Sequence, residues 1–128
     1  MKPDLQTIIQ EVKTFTQAEF DAFARLSGDD NPIHVDPDFS ARTRFGRTVA
    51  HGMLLYSVVC GAISRHFPGA VQLSQELKFP APTYANEPMT IHIQVLGQDA
   101  ATAQVRLLTE MKNPEGAVTL TGEAVILL

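Results

Sequence analysis

The run Val49-Ala50-His51-Gly52-Met53-Leu54-Leu55-Tyr56-Ser57-Val58-Val59-Cys60-Gly61-Ala62-Ile63-Ser64 contains no Asp, Glu, Lys or Arg. Met53, Leu54, Leu55, Val58, Val59, Ala62 and Ile63 cover most of a helical circumference rather than one stripe, the pattern of a helix buried on nearly every side. Arg65-His66-Phe67-Pro68-Gly69 closes it with a basic last turn and a Pro-Gly stop. At about 1.5 Å per residue the helix is roughly 20 Å long, which suits a core and is short for a bilayer span of about 20 apolar residues. The rest of the chain therefore has to wrap it.

The wrapping comes from the second half, where the periodicity changes to two. Val71, Leu73, Leu77 and Phe79 alternate with Gln72, Ser74, Glu76 and Lys78, as in a half-buried strand. Pro80-Ala81-Pro82-Thr83-Tyr84-Ala85-Asn86-Glu87-Pro88 leaves no room for regular structure. Three further strands follow, with Ile91, Ile93 and Val95, then Ala103, Val105, Leu107 and Met111, then Val118, Leu120, Ala124 and Ile126 on their inner faces. Gly97-Gln98-Asp99 and Asn113-Pro114-Glu115-Gly116 read as hairpin turns, and Gly122 as a bend or a close approach. Antiparallel strands curved around one buried helix make an α+β, hot-dog arrangement, with residues 1–128 as a single domain.

The first half is helical. Leu5, Ile8, Ile9 and Val12 stand at amphipathic spacing. Thr16-Gln17-Ala18-Glu19 is a capping box, with Phe15 and Phe20 as a hydrophobic staple around it. The helix it starts runs to about Ser27, buries Phe20, Phe23, Ala24 and Leu26, and ends at Gly28. Asn31-Pro32 forbids a helix and fixes a turn, and Asp36-Pro37 starts a short helix reaching about Thr43.

With 128 residues, 45% of them hydrophobic, and a mean hydropathy near zero, the chain fits one soluble globular domain. A formal charge of −4 gives no attraction for nucleic acid or an anionic membrane. Cys60 stands alone, no secretory signal is visible at Met1-Lys2-Pro3-Asp4-Leu5, and a cytoplasmic protein without disulfides or metal is expected.

Two places could carry chemistry. Asp29 and His34 flank a loop stiffened by Pro32, and a carboxylate held near an imidazole is the material of a general acid–base pair. The spacing also fits two ordinary loop residues, Asp29 bonding a local amide and His34 solvated, which is the commoner case in loops rich in Asp and Asn. His51-Gly52 begins the central helix, whose free N–H groups could hold an oxyanion; alternatively, Gly52 only permits close packing and His51 only caps. Arg42, Arg44 and Arg47 are a weak phosphate-clamp signal. His66 complements the helix dipole, and His92 reads as an outward strand residue.

Ser27-Gly28-Asp29-Asp30-Asn31-Pro32-Ile33-His34-Val35-Asp36, followed by Phe45-Gly46-Arg47-Thr48-Val49-Ala50-His51-Gly52-Met53-Leu54, resembles the hydratase motif of the MaoC-like (R)-specific enoyl-CoA hydratases. The likeness continues through Leu73-Ser74-Gln75-Glu76-Leu77-Lys78-Phe79-Pro80-Ala81-Pro82 and Leu120-Thr121-Gly122-Glu123-Ala124. It implies a hot-dog fold, a homodimer, and a trans-2-enoyl thioester of coenzyme A as substrate, with no other cofactor. By motif position Asp29 and His34 become the catalytic dyad, and the Gly52 N–H the oxyanion donor. Asn31, His51, Leu54 and Cys60 become substrate-binding residues. A carrier-protein dehydratase, or a non-catalytic acyl-thioester-binding subunit, is the alternative.

Overall fold

The structure is a computed structural model that describes residues 6–128. Its elements are β1 (Ile8–Thr14), α1 (Gln17–Ser27), α2 (Pro32–Val35), α3 (Pro37–Ala41), α4 (Gly52–His66), β2 (Val71–Gln75), β3 (Pro88–Asp99), β4 (Gln104–Lys112) and β5 (Val118–Leu127). The strands form one antiparallel sheet in the order β1-β3-β4-β5-β2. Register shifts at Val95/Gly97, Met111/Lys112 and Gln72/Ser74 bend it, since a bulge adds a residue to one strand and increases local twist. The curved sheet receives α4. Leu55, Val59, Ala62 and Ile63 from the helix join Ile91, Ile93, Val95, Val105, Leu107, Met111, Leu120, Ala124 and Ile126 in one core. Burying each of the Val, Leu, Ile and Met side chains among them stabilises by about 1.5–3 kcal/mol, so the sheet face and helix face hold each other.

The capping box forms as its spacing requires. Thr16 accepts from the Glu19 N–H at 3.2 Å, Glu19 Oε1 accepts from the Thr16 N–H at 3.0 Å, and Phe15 and Phe20 are fully buried beside it. Gly28 closes α1 at φ 80°. Gly122 is a close approach, because a Cβ there would lie 1.8 Å from the Glu76 carbonyl oxygen. The chain after β2 continues antiparallel alongside β5 there, bonded from Glu76 to Glu123 and between Lys78 and Thr121.

Several expectations are corrected. Ile8–Thr14 is an edge strand, paired with β3, and Leu5 lies outside the described residues. Only Ile9 of its three apolar residues is buried, so the helix-like spacing was coincidental. Leu26 is 85% exposed, on the outer side of α1. Asn31-Pro32 starts a helix rather than forbidding one: the non-helical residue before proline serves as N-cap, and Pro32 takes the first position, where no N–H is needed. Gly97 lies within β3 at a bulge; the hairpin turn comes after Asp99, and Ala103 sits there at φ 58° instead of on an inner face. The central helix is buried on one side only, with Met53 exposed and Leu54 and Val58 half-buried. Val71 and Leu73 alternate as a strand does, yet both are exposed on the edge strand β2, because alternation does not say which face is covered.

Candidate active site

The loop after α1 is pinned residue by residue. Ser27 Oγ donates to the Phe23 carbonyl and accepts from the Asp29 N–H, while the Asp30 N–H donates to the Gly28 carbonyl. Asp29 Oδ1 receives a long 3.4 Å bond from the Asn31 N–H, and Asn31 Oδ1 caps α2 by accepting from the Ile33 N–H at 3.3 Å. Gln17 Nε2 holds the His34 carbonyl at 2.9 Å, and its Oε1 accepts from the Thr48 hydroxyl. The local-amide reading of Asp29 is thus correct as far as it goes. The solvated reading of His34 is not, since His34 is 8% exposed.

His34 Nδ1 lies 2.8 Å from the Val49 carbonyl. A carbonyl only accepts, so Nδ1 carries the proton and Nε2 keeps its lone pair. That nitrogen faces Asp29 Oδ2 at 4.0 Å, too far for a direct hydrogen bond. The same logic applies to His51, whose Nε2–H donates to the Asp29 carbonyl at 2.8 Å. The two imidazoles stack, with centroids 3.8 Å apart and planes inclined by 23°. His34 is held below the ordinary histidine value, first by burial and further by His51; its bond to Val49 and the Asp29 carboxylate oppose this. It is therefore a neutral base with one open nitrogen.

Asp29, His34 and His51 also bring one ligand atom each to within 4.8 Å of one another. Imidazole lone pairs lie in the ring planes, however. Two nearly parallel stacked rings do not converge on one ion at about 2.1 Å from both nitrogens, and the trio suits proton transfer better than metal binding.

Beside this pair α4 begins. His51 occupies its N-cap position but makes no side-chain cap bond, which leaves the first N–H groups, including that of Gly52, outside the helical ladder. Facing them is a proline-rich wall. A Cβ on Gly52 would meet the Phe79 ring at 2.7–2.9 Å, so that ring lies flat against the helix start. The isolated bridge of Val49 with Tyr84, and the Ala50 N–H bond to the Thr83 carbonyl, join wall to helix. Together they enclose a cleft of about 630 Å³, lined by Asp29, His34, His51, Gly52, Phe79 and Thr83 among others.

Of the sequence-derived site residues, Asp29, His34, His51 and Gly52 meet in this cleft. Asn31, Leu54 and Cys60 do not line it: Asn31 caps α2, and Cys60 faces Gln72 Nε2 at 3.6 Å across to β2. Gln72 in turn accepts from Tyr56, whose hydroxyl is pushed up to about 12 by burial and by Cys60. Sequence reading missed Gln17, hidden inside the capping box; Phe79, read as the inner face of a strand that in fact ends at Gln75; and Thr83, whose proline-rich setting signalled only irregular chain. Of the arginines, Arg44 lines the cleft, while Arg47 stacks on Tyr84 at 3.8 Å and pairs with Glu87 at 3.5 Å.

The MaoC-like domain family matches residues 4–115, nearly the whole of this architecture. The chain belongs to that family. It is 39% identical over 118 residues to the (R)-specific enoyl-CoA hydratase of Aeromonas caviae, covering 91% of this chain and 88% of that protein. To the mitochondrial 3-hydroxyacyl-[acyl-carrier-protein] dehydratase of Arabidopsis thaliana it is 33% identical, over 94% of this chain and 75% of the relative. The solved (R)-hydratase of A. caviae involved in PHA biosynthesis superposes with a TM-score of 0.94 at 36% identity, covering 98% of this chain and 97% of the other. The MaoC-like fold is thus the hot-dog fold, here as there. Among the described residues, no helix is long and apolar enough to cross a membrane.

Proposed function

We propose that this protein is an (R)-specific enoyl-CoA hydratase, adding water to a trans-2-enoyl thioester of coenzyme A to give the (R)-3-hydroxyacyl thioester. The observation that carries this is the open His34 Nε2 facing Asp29 Oδ2 at 4.0 Å beside an uncapped helix start. A separation of that size lets one water oxygen reach both groups at about 2.8 Å. His34 takes a proton from this water as its oxygen bonds to C3. The C2=C3 electron pair moves toward the thioester carbonyl, whose developing negative charge the Gly52 N–H and the α4 dipole stabilise. The proton taken by His34 is handed to Asp29 Oδ2, which delivers it to C2 on the face the oxygen entered, so H and OH add to the same side and the dyad ends as it began. Acid–base help of this kind is worth about 10²–10⁴-fold.

The same groups run the dehydration in reverse, and the Arabidopsis relative's name makes a carrier-protein thioester the second substrate form to test. We also propose a homodimer. The edge strand β2 exposes Val71 and Leu73, and α4 leaves Met53 uncovered, so a second copy would bury both. Hydration of crotonyl-CoA, followed by loss of enoyl absorbance with chiral analysis of the product, tests the reaction. The (R)-alcohol is expected, and absence of hydration with crotonyl and longer enoyl-CoA thioesters overturns it. A monomer mass in light scattering at micromolar concentration overturns the dimer.

A further inference from the structure

The reaction as written uses Asp29, His34 and Gly52 and leaves His51 without a part, although His51 is only 2% exposed between them. Its environment is specific. One ring face stacks on His34, Phe23 packs against it at 4.9 Å with planes inclined by 59°, and Nε2–H is spent on the Asp29 carbonyl. Its Nδ1 is buried without a hydrogen-bond partner among the described residues. A buried acceptor left unpaired destabilises a fold. A phenyl ring would fill the same aromatic slot without that defect, so packing alone does not call for an imidazole. What the imidazole adds is the bond to the residue that carries the carboxylate, and a polar ring against the base.

We propose that His51 is a positioning residue that sets the separation of the two dyad members, tethering Asp29 by its backbone and bracing the His34 ring by stacking. It touches no reacting atom. The tether matters because Asp29 is otherwise the loose partner: its side chain is 56% exposed, and among the described residues its only carboxylate hydrogen bond is the 3.4 Å contact with the Asn31 N–H. Without the tether the carboxylate drifts relative to Nε2, and the water between them loses one of its two holders. The inference rests on the Asp29/His34 reading above.

The test compares wild type, Asp29→Asn, His51→Phe and His51→Gln in crotonyl-CoA hydration, thermal melting and amide NMR of residues 29–31. His51→Phe is expected to melt within a few degrees of wild type, because it removes one bond and one orphan together. Its kcat is expected to fall about 10- to 100-fold with KM within about threefold. The acid limb of its kcat/KM profile moves to higher pH, since the neighbouring ring no longer opposes charge on His34. His51→Gln, which keeps an N–H for the Asp29 carbonyl, recovers part of kcat. The 29–31 amide resonances shift in His51→Phe and return toward wild type in His51→Gln. Wild-type kcat in His51→Phe, a loss that tracks a fall in melting temperature, a loss confined to KM, or unmoved amides would each overturn the proposal. Inactive wild type, or full activity in Asp29→Asn, would instead overturn the dyad reading, and the amide shifts then still decide the tether.

Discussion

The two walls of the cleft are built on different principles. The wall formed by residues 27–34 and 48–52 is held by directed hydrogen bonds: Ser27 to Phe23 and Asp29, Gln17 to His34 and Thr48, His34 to Val49, His51 to Asp29. The facing wall, residues 79–84, begins with four residues that make no hydrogen bonds among the described residues, and it presents the half-exposed Phe79 ring and the prolines Pro80 and Pro82. Proton transfer needs atoms fixed to within fractions of an ångström, which directed bonds supply. Holding an acyl thioester needs apolar area and shape, which an aromatic ring and pyrrolidine rings supply. The contrast separates a chemistry wall from a selection wall.

The largest effect should come from the first wall. His34→Gln removes the open nitrogen and is expected to lower kcat by about 10²–10⁴-fold while KM moves little, read by steady-state hydration kinetics. A loss in KM alone would put the chemistry elsewhere. Next is the anchor of the second wall. Gly122→Val places a side chain into the Glu76 carbonyl, a backbone atom that cannot swing aside, and is expected to cost about 3 kcal/mol or more in a urea titration. Phe79→Ala strips the selection wall and is expected to raise KM about three- to tenfold with kcat nearly kept. A kcat loss as large as that of His34→Gln would erase the distinction between the walls. The smallest effect is in pH. Because His34 is depressed, the acid limb of kcat/KM lies below the ordinary histidine value of ~6.5. The unfolded chain binds that proton more readily than the folded one. The stability from neutral His34 is therefore complete above ~6.5 and declines as pH falls through the window beneath it. Chemical-shift titration of His34, and melting between neutral pH and pH 5, check both.

The sequence made the scaffold readable where local chemistry and packing agree. The capping box at Thr16, the uncharged run that becomes α4, and the alternation of Ile91, Ile93 and Val95 all have causes within a few residues. It misled where the partner lies far along the chain. Ile8–Thr14 is a strand because β3 supplies its ladder, and nothing in residues 8–14 records that. In the site, the motif residues Asp29, His34 and Gly52 line one cleft. The stack of His34 on His51, the Gln17 bond to His34, and the Phe79 ring against Gly52 depend on residues separated by 17 to 27 positions, and no spacing rule encodes them.

Pro80 and Pro82 give the selection wall a kind of order that does not melt. A hydrogen-bonded loop owes its shape to partners that part on heating or in denaturant. A pyrrolidine ring fixes φ near −65° through covalent bonds whatever its surroundings. Much of the backbone freedom this segment would lose on folding is therefore already missing in the unfolded chain. The wall arrives partly shaped from the ribosome, and substrate entering the cleft finds a surface whose ordering it does not have to induce.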